Sequence, residues 1–161
     1  MLKIAFSPVY KYRLPDGHRF PMVKYELLPE QLLYEGTVEE SQFFAPDKLS
    51  EEVLLWTHDE GYWEKLRKQD FSRKEERAIG FPMRADLVER GRYITQGTIQ
   101  CALYAQQHGV AMNIAGGTHH AYADHGEGFC VFNDFAIAAN YLLKKELAKQ
   151  ILIIDLDVHQ G

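Results

Sequence analysis

Cysteine, long apolar runs and clustered basic residues are scarce in this sequence, and each shortage excludes a class of protein. The 161 residues include only two cysteines, Cys101 and Cys130, in no ligand spacing, so no disulfide framework is expected and a reducing compartment fits. No run approaches the roughly 20 apolar residues of a membrane span. The first residues lead directly to Pro8 rather than to a signal-peptide core. We therefore predict a cytoplasmic protein that has no membrane partner.

Basic clusters are also missing, because the charge balance is mildly acidic. There are 18 Lys and Arg residues against 23 Asp and Glu residues, which gives a net charge of -5. A duplex-binding protein is expected to carry a basic face, and no basic run here is longer than pairs such as Arg73–Lys74. A nucleic-acid partner is therefore not expected. The length and the 46% hydrophobic content are those of one globular domain.

Apolar periodicity in the last third of the chain predicts a βαβ unit. The run Ile151–Ile154 is apolar on both alternating faces, as in a central strand of a parallel sheet covered by helices on both sides. The predicted unit consists of a strand at Val110–Ala115, a long loop at Gly116–Phe132, a helix from Asp134 to about Ala148 and the strand Ile151–Ile154. The sequence thus predicts an α/β fold with a three-layer parallel sheet.

The upstream sequence predicts one further strand and several helices. The charged stretch from Phe71 to Arg84 is predicted to be a long surface loop. The predicted elements are a buried strand at Lys3–Phe6, a helix that starts at Pro21, is interrupted near Pro29 and ends at Gly36, a helix at Glu51–Gln69 in two pieces that meet near Asp59, and a helix from Asp86 to about Gln107 that ends at Gly109.

His and Asp residues follow both strands of the predicted βαβ unit. Ligands bind beyond the carboxyl ends of parallel strands, and His119 and His120 follow the first strand on a Gly-Gly loop. After the second strand, Asp155, Asp157 and His159 alternate, so a strand would project them to one side. Carboxylate and imidazole groups both suit zinc.

A purely structural role can explain each of these residues taken alone. An Asp-x-His triplet is a weak signal, since a polar residue after a strand also caps the next helix. The isolated His18 and His58 are predicted to be structural, and Cys130 to be a small buried apolar residue. Two adjacent imidazoles after Gly-Gly are harder to explain by packing. Their combination with the triplet in one βαβ unit favours a metal-dependent site.

Three segments also carry a family resemblance. Gly116–Ala121, Gly126–Asp134 and Asp155–Gly161 resemble the three consecutive signature blocks of the histone deacetylase family of zinc amidohydrolases. Weaker similarity extends upstream through His18–Pro21 and Leu55–His58. The family includes bacterial deacetylases of acetylated lysine and polyamines, and acetoin-utilisation proteins. The resemblance therefore implies the arginase/deacetylase fold and an acetylated lysine or polyamine substrate.

The resemblance also implies roles for the residues that match the signature blocks. His120 matches the general base and acid, and His119 matches its electrostatic partner. Asp155 matches the carboxylate that orients His119. The remaining matches are Asp157 and His159 as two of three Zn2+ ligands, Gly128 and Phe129 as the wall of the acyl-lysine channel, and Arg19 as a lining residue of the inner cavity that receives acetate.

The third zinc ligand has no match in the chain. We therefore predict that residues 1–161 are the N-terminal part of a single deacetylase catalytic domain, inactive alone, or completed by another chain in an oligomer. An alternative is a non-catalytic deacetylase-like domain that binds an acylated ligand or a partner. Arginase-type enzymes share the fold and an Asp-x-His segment, but the tandem His119–His120 favours the deacetylase.

Overall fold

A computed structural model describes residues 1–159 of the chain. Its sheet is parallel, and β1 lies in the middle between β2 and β3. In the described part, short 3-10 helices at Pro8–Tyr10 and Glu40–Gln42 accompany three strands and six helices, which are β1 (Lys3–Ala5), α1 (Lys24–Tyr34), β2 (Phe43–Phe44), α2 (Glu51–Leu54), α3 (Glu60–Lys68), α4 (Arg73–Ile79), α5 (Ala85–His108), β3 (Ala111–Asn113) and α6 (Asp134–Lys144).

The long helix α5 organises the core. It contacts β1 and β3 on one side and packs against α6. Ile94 and Ile99 of α5 are buried together with Ile4 of β1. Burial of such side chains supplies about 1.5–3 kcal/mol each. The helix ends at Gly109, whose φ of 87° is easily adopted only by glycine. The predicted α/β fold with a parallel sheet is confirmed, with three strands of the sheet present.

Two predicted elements were wrong. The stretch predicted to be one loop contains α4, which begins with a capping box formed by Ser72 and Glu75. Ile151–Ile154 is not a strand, because a strand requires hydrogen bonds to a neighbour and none of the strands among residues 1–159 pairs with it. Its side chains are correspondingly open, with Leu152 81% and Ile154 70% exposed. The predicted βαβ unit therefore lacks its second strand in the described part.

No helix among the described residues is both long enough and apolar enough to cross a membrane.

Candidate active site

The loop that follows β3 is held by the first residues of α6. Asp134 is completely buried, and its two carboxylate oxygens accept from the backbone N–H groups of Gly117 (3.1 Å) and Thr118 (2.7 Å). The same carboxylate accepts from the hydroxyls of Thr118 (2.9 Å) and Thr98 of α5 (2.5 Å). Asp134 therefore fixes the loop immediately before His119.

Asn133, the N-cap of α6, holds the other side of this loop. Its Oδ1 accepts from the N–H of Ala136, while its Nδ2 donates to the carbonyls of His119 (3.2 Å) and Ala121 (3.1 Å). The backbone N–H of Asn133 donates to Nε2 of the buried His58 (3.1 Å). Burial lowers the pKa of His58, so this imidazole is neutral and structural.

The two histidines of the loop lie at the centre of the candidate site. Their ring centroids are 4.0 Å apart, and that of His120 is 6.3 Å from that of His159. Nδ1 of His119 lies 2.5 Å from a carboxylate oxygen of Asp155. A carboxylate on one ring nitrogen sets the tautomer and orientation of an imidazole. Hydrogen bonds from the N–H of Asp157 and from His119 lower the pKa of Asp155.

Gly128 lies against His120, and Phe129 lines the same cavity. The N–H groups of both residues donate to carbonyls at the end of α4, at 3.0 and 2.7 Å. Gly128 has a φ of 54°, and a Cβ at this position would approach Cδ2 of His120 at 2.7 Å. Phe129 is also left-handed, with a φ of 68°, and its ring packs 5.0 Å from the ring of Phe81. Only glycine allows the loop to approach His120 this closely.

Arg19 reaches the same region from the loop before α1. Its guanidinium carbon lies 4.9 Å from the centroid of the Phe129 ring. The neighbouring His18 accepts at Nδ1 from the N–H of Phe20 (3.1 Å) and lies 3.0 Å from the carbonyl of Gly80 through Nε2. Both nitrogens of His18 are thus used in holding the loop.

One cavity of about 590 Å³ connects most of the residues singled out by the sequence. Asp155 does not line it but contacts it through His119. The predicted site residues that line it are Arg19, His119, His120, Gly128, Phe129, Asp157 and His159.

Asp157 and His159 have the donor atoms that zinc prefers, but they are not arranged around a common point with a third residue. Oδ1 of Asp157 accepts from the backbone N–H of His159 at 2.8 Å and lies 2.9 Å from its Nδ1. Both contacts lower the pKa of Asp157. No group of three metal-binding side chains occurs among residues 1–159. The described residues therefore fit two ligands of a zinc site and do not complete it.

Three residues of the site were missed by sequence reasoning in these roles. Asn133 and Asp134 were matched to the end of the second signature block, and Asp134 to the start of a helix, but neither was given a part in holding the loop. A polar pair at a helix start that follows a Gly-rich loop is a signal for such anchoring. Arg90 also lines the cavity, yet it is only 4% exposed. Its position within a predicted helix gave no indication that its side chain is buried beside the cavity.

The chain is thus an α/β protein with a His- and Asp-bearing cavity beyond a parallel strand, and comparison with known proteins identifies its family. The family model described as the histone deacetylase domain matches residues 18–161. The chain belongs to the histone deacetylase family. It is 40% identical over 158 residues to an uncharacterized protein of Picosynechococcus sp.. This alignment covers 98% of this chain and 53% of the relative.

Named relatives and solved structures agree with this family. Histone deacetylase 2 of Arabidopsis thaliana is 32% identical over 89% of this chain and 39% of its own length. The acetoin utilization protein AcuC of Bacillus subtilis is 29% identical over 97% of this chain and 43% of its own length. The crystal structure of a histone deacetylase homolog from Aquifex aeolicus superposes with a TM-score of 0.72 and 28% identity, over 89% of this chain and 41% of that chain. The chain thus spans about half, or less, of the length of these relatives.

Proposed function

We propose that this chain is part of a zinc-dependent hydrolase that removes an acetyl or related acyl group from N-acetyl-lysine or an acetylpolyamine. The observation that supports this most directly is the His119–Asp155 contact of 2.5 Å, because it joins two signature blocks at the wall of the cavity that His119 and His120 line. In a family whose relatives are named deacetylases, such a pair suits proton transfer at an amide.

In the proposed reaction each residue has a distinct task. His120 takes a proton from the attacking water and later gives one to the leaving amine. His119, oriented by Asp155, stabilises the charge that develops in the transition state as the carbonyl oxygen becomes an oxyanion. Gly128 and Phe129 form the channel wall against the methylenes of the substrate, and the aromatic faces around Phe129 keep water away from them.

Asp157 and His159 would hold the zinc ion together with a third ligand from outside the described residues. When bound, zinc polarises an amide carbonyl and lowers the pKa of water at the site. Residues 1–161 are, in this proposal, the N-terminal part of a single catalytic domain. The share of the relatives that the chain covers, 39% to 53%, supports this division. AcuC-like bacterial relatives also favour a cytoplasmic location.

The zinc content of the purified 161-residue chain tests the division of the site. We expect close to none, because two ligands do not make a catalytic zinc site, and we expect no acetyl-lysine hydrolysis. About one zinc per chain would show that another chain or an unassigned residue completes the site. Hydrolysis by the 161-residue chain would refute the proposed inactivity.

The full-length protein tests the chemistry. With zinc, we expect release of acetate from an acetyl-lysine peptide, and a loss of about 10²- to 10⁴-fold in kcat for His120→Ala. His125→Ala is the matched control, since this exposed histidine pairs with Asp124 and does not line the cavity. Binding of the peptide without turnover would favour the alternative, a non-catalytic deacetylase-like domain. The incomplete metal site among residues 1–159 is compatible with that alternative.

A further inference from the structure

Three cationic side chains surround the cavity beside the histidine pair. Arg19, Lys24 and Arg90 all line it, and the one carboxylate in the lining described here is that of Asp157. Among residues 1–159, no Asp or Glu forms a salt bridge with any of the three cations. The cavity therefore has a positive lining that the described protein does not neutralise.

Arg90 is the most informative of these cations because it is buried. It is 4% exposed, its Nε donates to the carbonyl of Tyr10 at 2.6 Å, and its guanidinium carbon lies 5.1 Å from the Tyr25 ring centroid. A guanidinium has five N–H donors and stays charged at neutral pH. Removing such a charge from water is costly unless an anion compensates it. Its partners among the described residues are the Tyr10 carbonyl and the side chains of Tyr25 and Phe81, the latter with its ring centroid 6.0 Å away, and none of them carries a negative charge at neutral pH. An anionic partner for this guanidinium is therefore left to a ligand.

Arg19 and Lys24 are held on aromatic faces around the same cavity. Arg19 lies over Phe129, and Nζ of Lys24 lies 4.8 Å from the Phe20 ring centroid and 5.1 Å from that of Tyr25. Cation–π contacts position a positive charge without neutralising it. The three cations are thus oriented by apolar walls and remain free to meet an anionic group in the cavity.

We propose that this cavity is a subsite for a carboxylate at the far end of the acyl group, so that the protein accepts succinyl- or glutaryl-lysine. This deepens the proposed function and depends on it for the reaction. A guanidinium pairs with a carboxylate through two parallel hydrogen bonds, whereas an acetyl group has no charge for Arg90 to meet. Hydrolysis breaks the amide C–N bond, water adds OH to the acyl carbon and H to the amine, and a dicarboxylate is released.

The first test compares acyl groups on one lysine peptide, using the full-length protein with zinc. Succinyl and butyryl have the same number of carbons but differ in charge. We expect kcat/KM for the succinyl peptide to exceed that for the butyryl peptide by roughly 10- to 100-fold. The preference is expected to disappear in Arg90→Met. A butyryl preference in the unmodified protein would overturn the inference.

A matched control lies two residues further along the same helix. Arg92 donates from Nε to the carbonyl of Leu49 at 2.8 Å, stacks 5.5 Å from the Trp63 ring centroid and does not line the cavity. Arg92→Met should keep the succinyl preference. If Arg90→Met does not fold, Lys24→Met serves instead, because Lys24 is only half-buried; its expected loss of preference is roughly two- to fivefold.

The second test measures binding without turnover. Succinate is titrated calorimetrically into zinc-free full-length protein, with acetate and inorganic phosphate in parallel. We expect succinate to bind more tightly than the other two anions and to lose roughly 10- to 100-fold in affinity in Arg90→Met. Equal binding of acetate would mean that the cavity holds any product carboxylate, and tighter binding of phosphate would mean a phosphate site. Either result overturns the inference.

The two proposals fail in different ways. Hydrolysis of the acetyl peptide without any succinyl activity overturns the subsite and leaves the deacylase intact. If neither peptide is hydrolysed, the proposed function fails, and the succinate titration alone then decides whether the cavity binds a distal carboxylate.

Discussion

Removing the Asp134 carboxylate should loosen the loop that carries the two histidines. This side chain is 0% exposed and accepts from two backbone N–H groups of the loop and from two threonine hydroxyls. Gly117 is exposed and Thr118 is half-buried, so water can replace the carboxylate at the first N–H group more easily than at the second. The cost of a substitution can therefore be worked out from the donors that lose their acceptor.

The magnitude depends on which oxygens are lost. Asp134→Ala leaves the N–H groups of Gly117 and Thr118 without this acceptor. A buried unsatisfied donor costs about 1–3 kcal/mol, and because the exposed Gly117 can turn to water, about 2–4 kcal/mol is expected in total. In Asp134→Asn, the remaining amide oxygen can serve Thr118 while the NH₂ group faces Gly117, so about 1–3 kcal/mol is expected. Asp47→Asn, a change in an exposed Asp that bonds Gln100 of α5 at 2.8 Å, should cost less than about 1 kcal/mol.

Urea unfolding of the full-length protein measures these free energies. Activity supplies the second measurement, because a loop that moves His120 should lower kcat in Asp134→Asn beyond what the folded fraction explains. An unfolding free energy of Asp134→Ala within about 0.5 kcal/mol of the unmodified protein would refute the reasoning. So would unchanged kcat in a folded Asp134→Asn.

Three further outcomes follow from single residues. Gly128→Ala should reduce activity more than Gly17→Ala, because both have positive φ but only the Cβ at Gly128 meets His120, at 2.7 Å, whereas Gly17 faces open space; equal losses would contradict this. Burial raises the pKa of Cys130 from 9.0 to about 11, so iodoacetamide should alkylate it about 100-fold more slowly in the folded protein than in urea. The pKa of His58 is lowered from 6.5 by burial, so the stability it confers is present above about pH 6.5 and is lost as pH falls; urea unfolding of His58→Asn should show a weaker loss between pH 7.5 and 5.5.

Local signals predicted the elements whose causes are local. The strand at Lys3–Ala5 follows from an apolar run, and the helix end at Gly109 follows from a glycine with positive φ. The predicted break at Asp59 is also present, since Asp59 stands at the N-cap position of α3, although its side chain makes no capping hydrogen bond. The helix α4 was missed although its Ser72–Glu75 capping box is also a local signal, because its charged composition suggested a loop. The strand predicted at Ile151–Ile154 was wrong for the opposite reason. A strand exists only where it pairs with a neighbouring strand, and a local sequence pattern cannot show whether that neighbour is present.

In the candidate site, too, some residues could be predicted from local sequence and others depend on long-range packing. The residues proposed to carry the chemistry, such as His120 and Asp155, could be predicted from the signature blocks, because reaction chemistry restricts which side chains can serve. The residues that hold them could not, because Asp134 acts on a loop 16 residues earlier and Arg90 acts across a cavity. Long-range partners of this kind depend on packing rather than on spacing. A charge that is costly to bury, such as that of Arg90, is then the feature of a structure most worth explaining, since the sequence alone gives no reason for it.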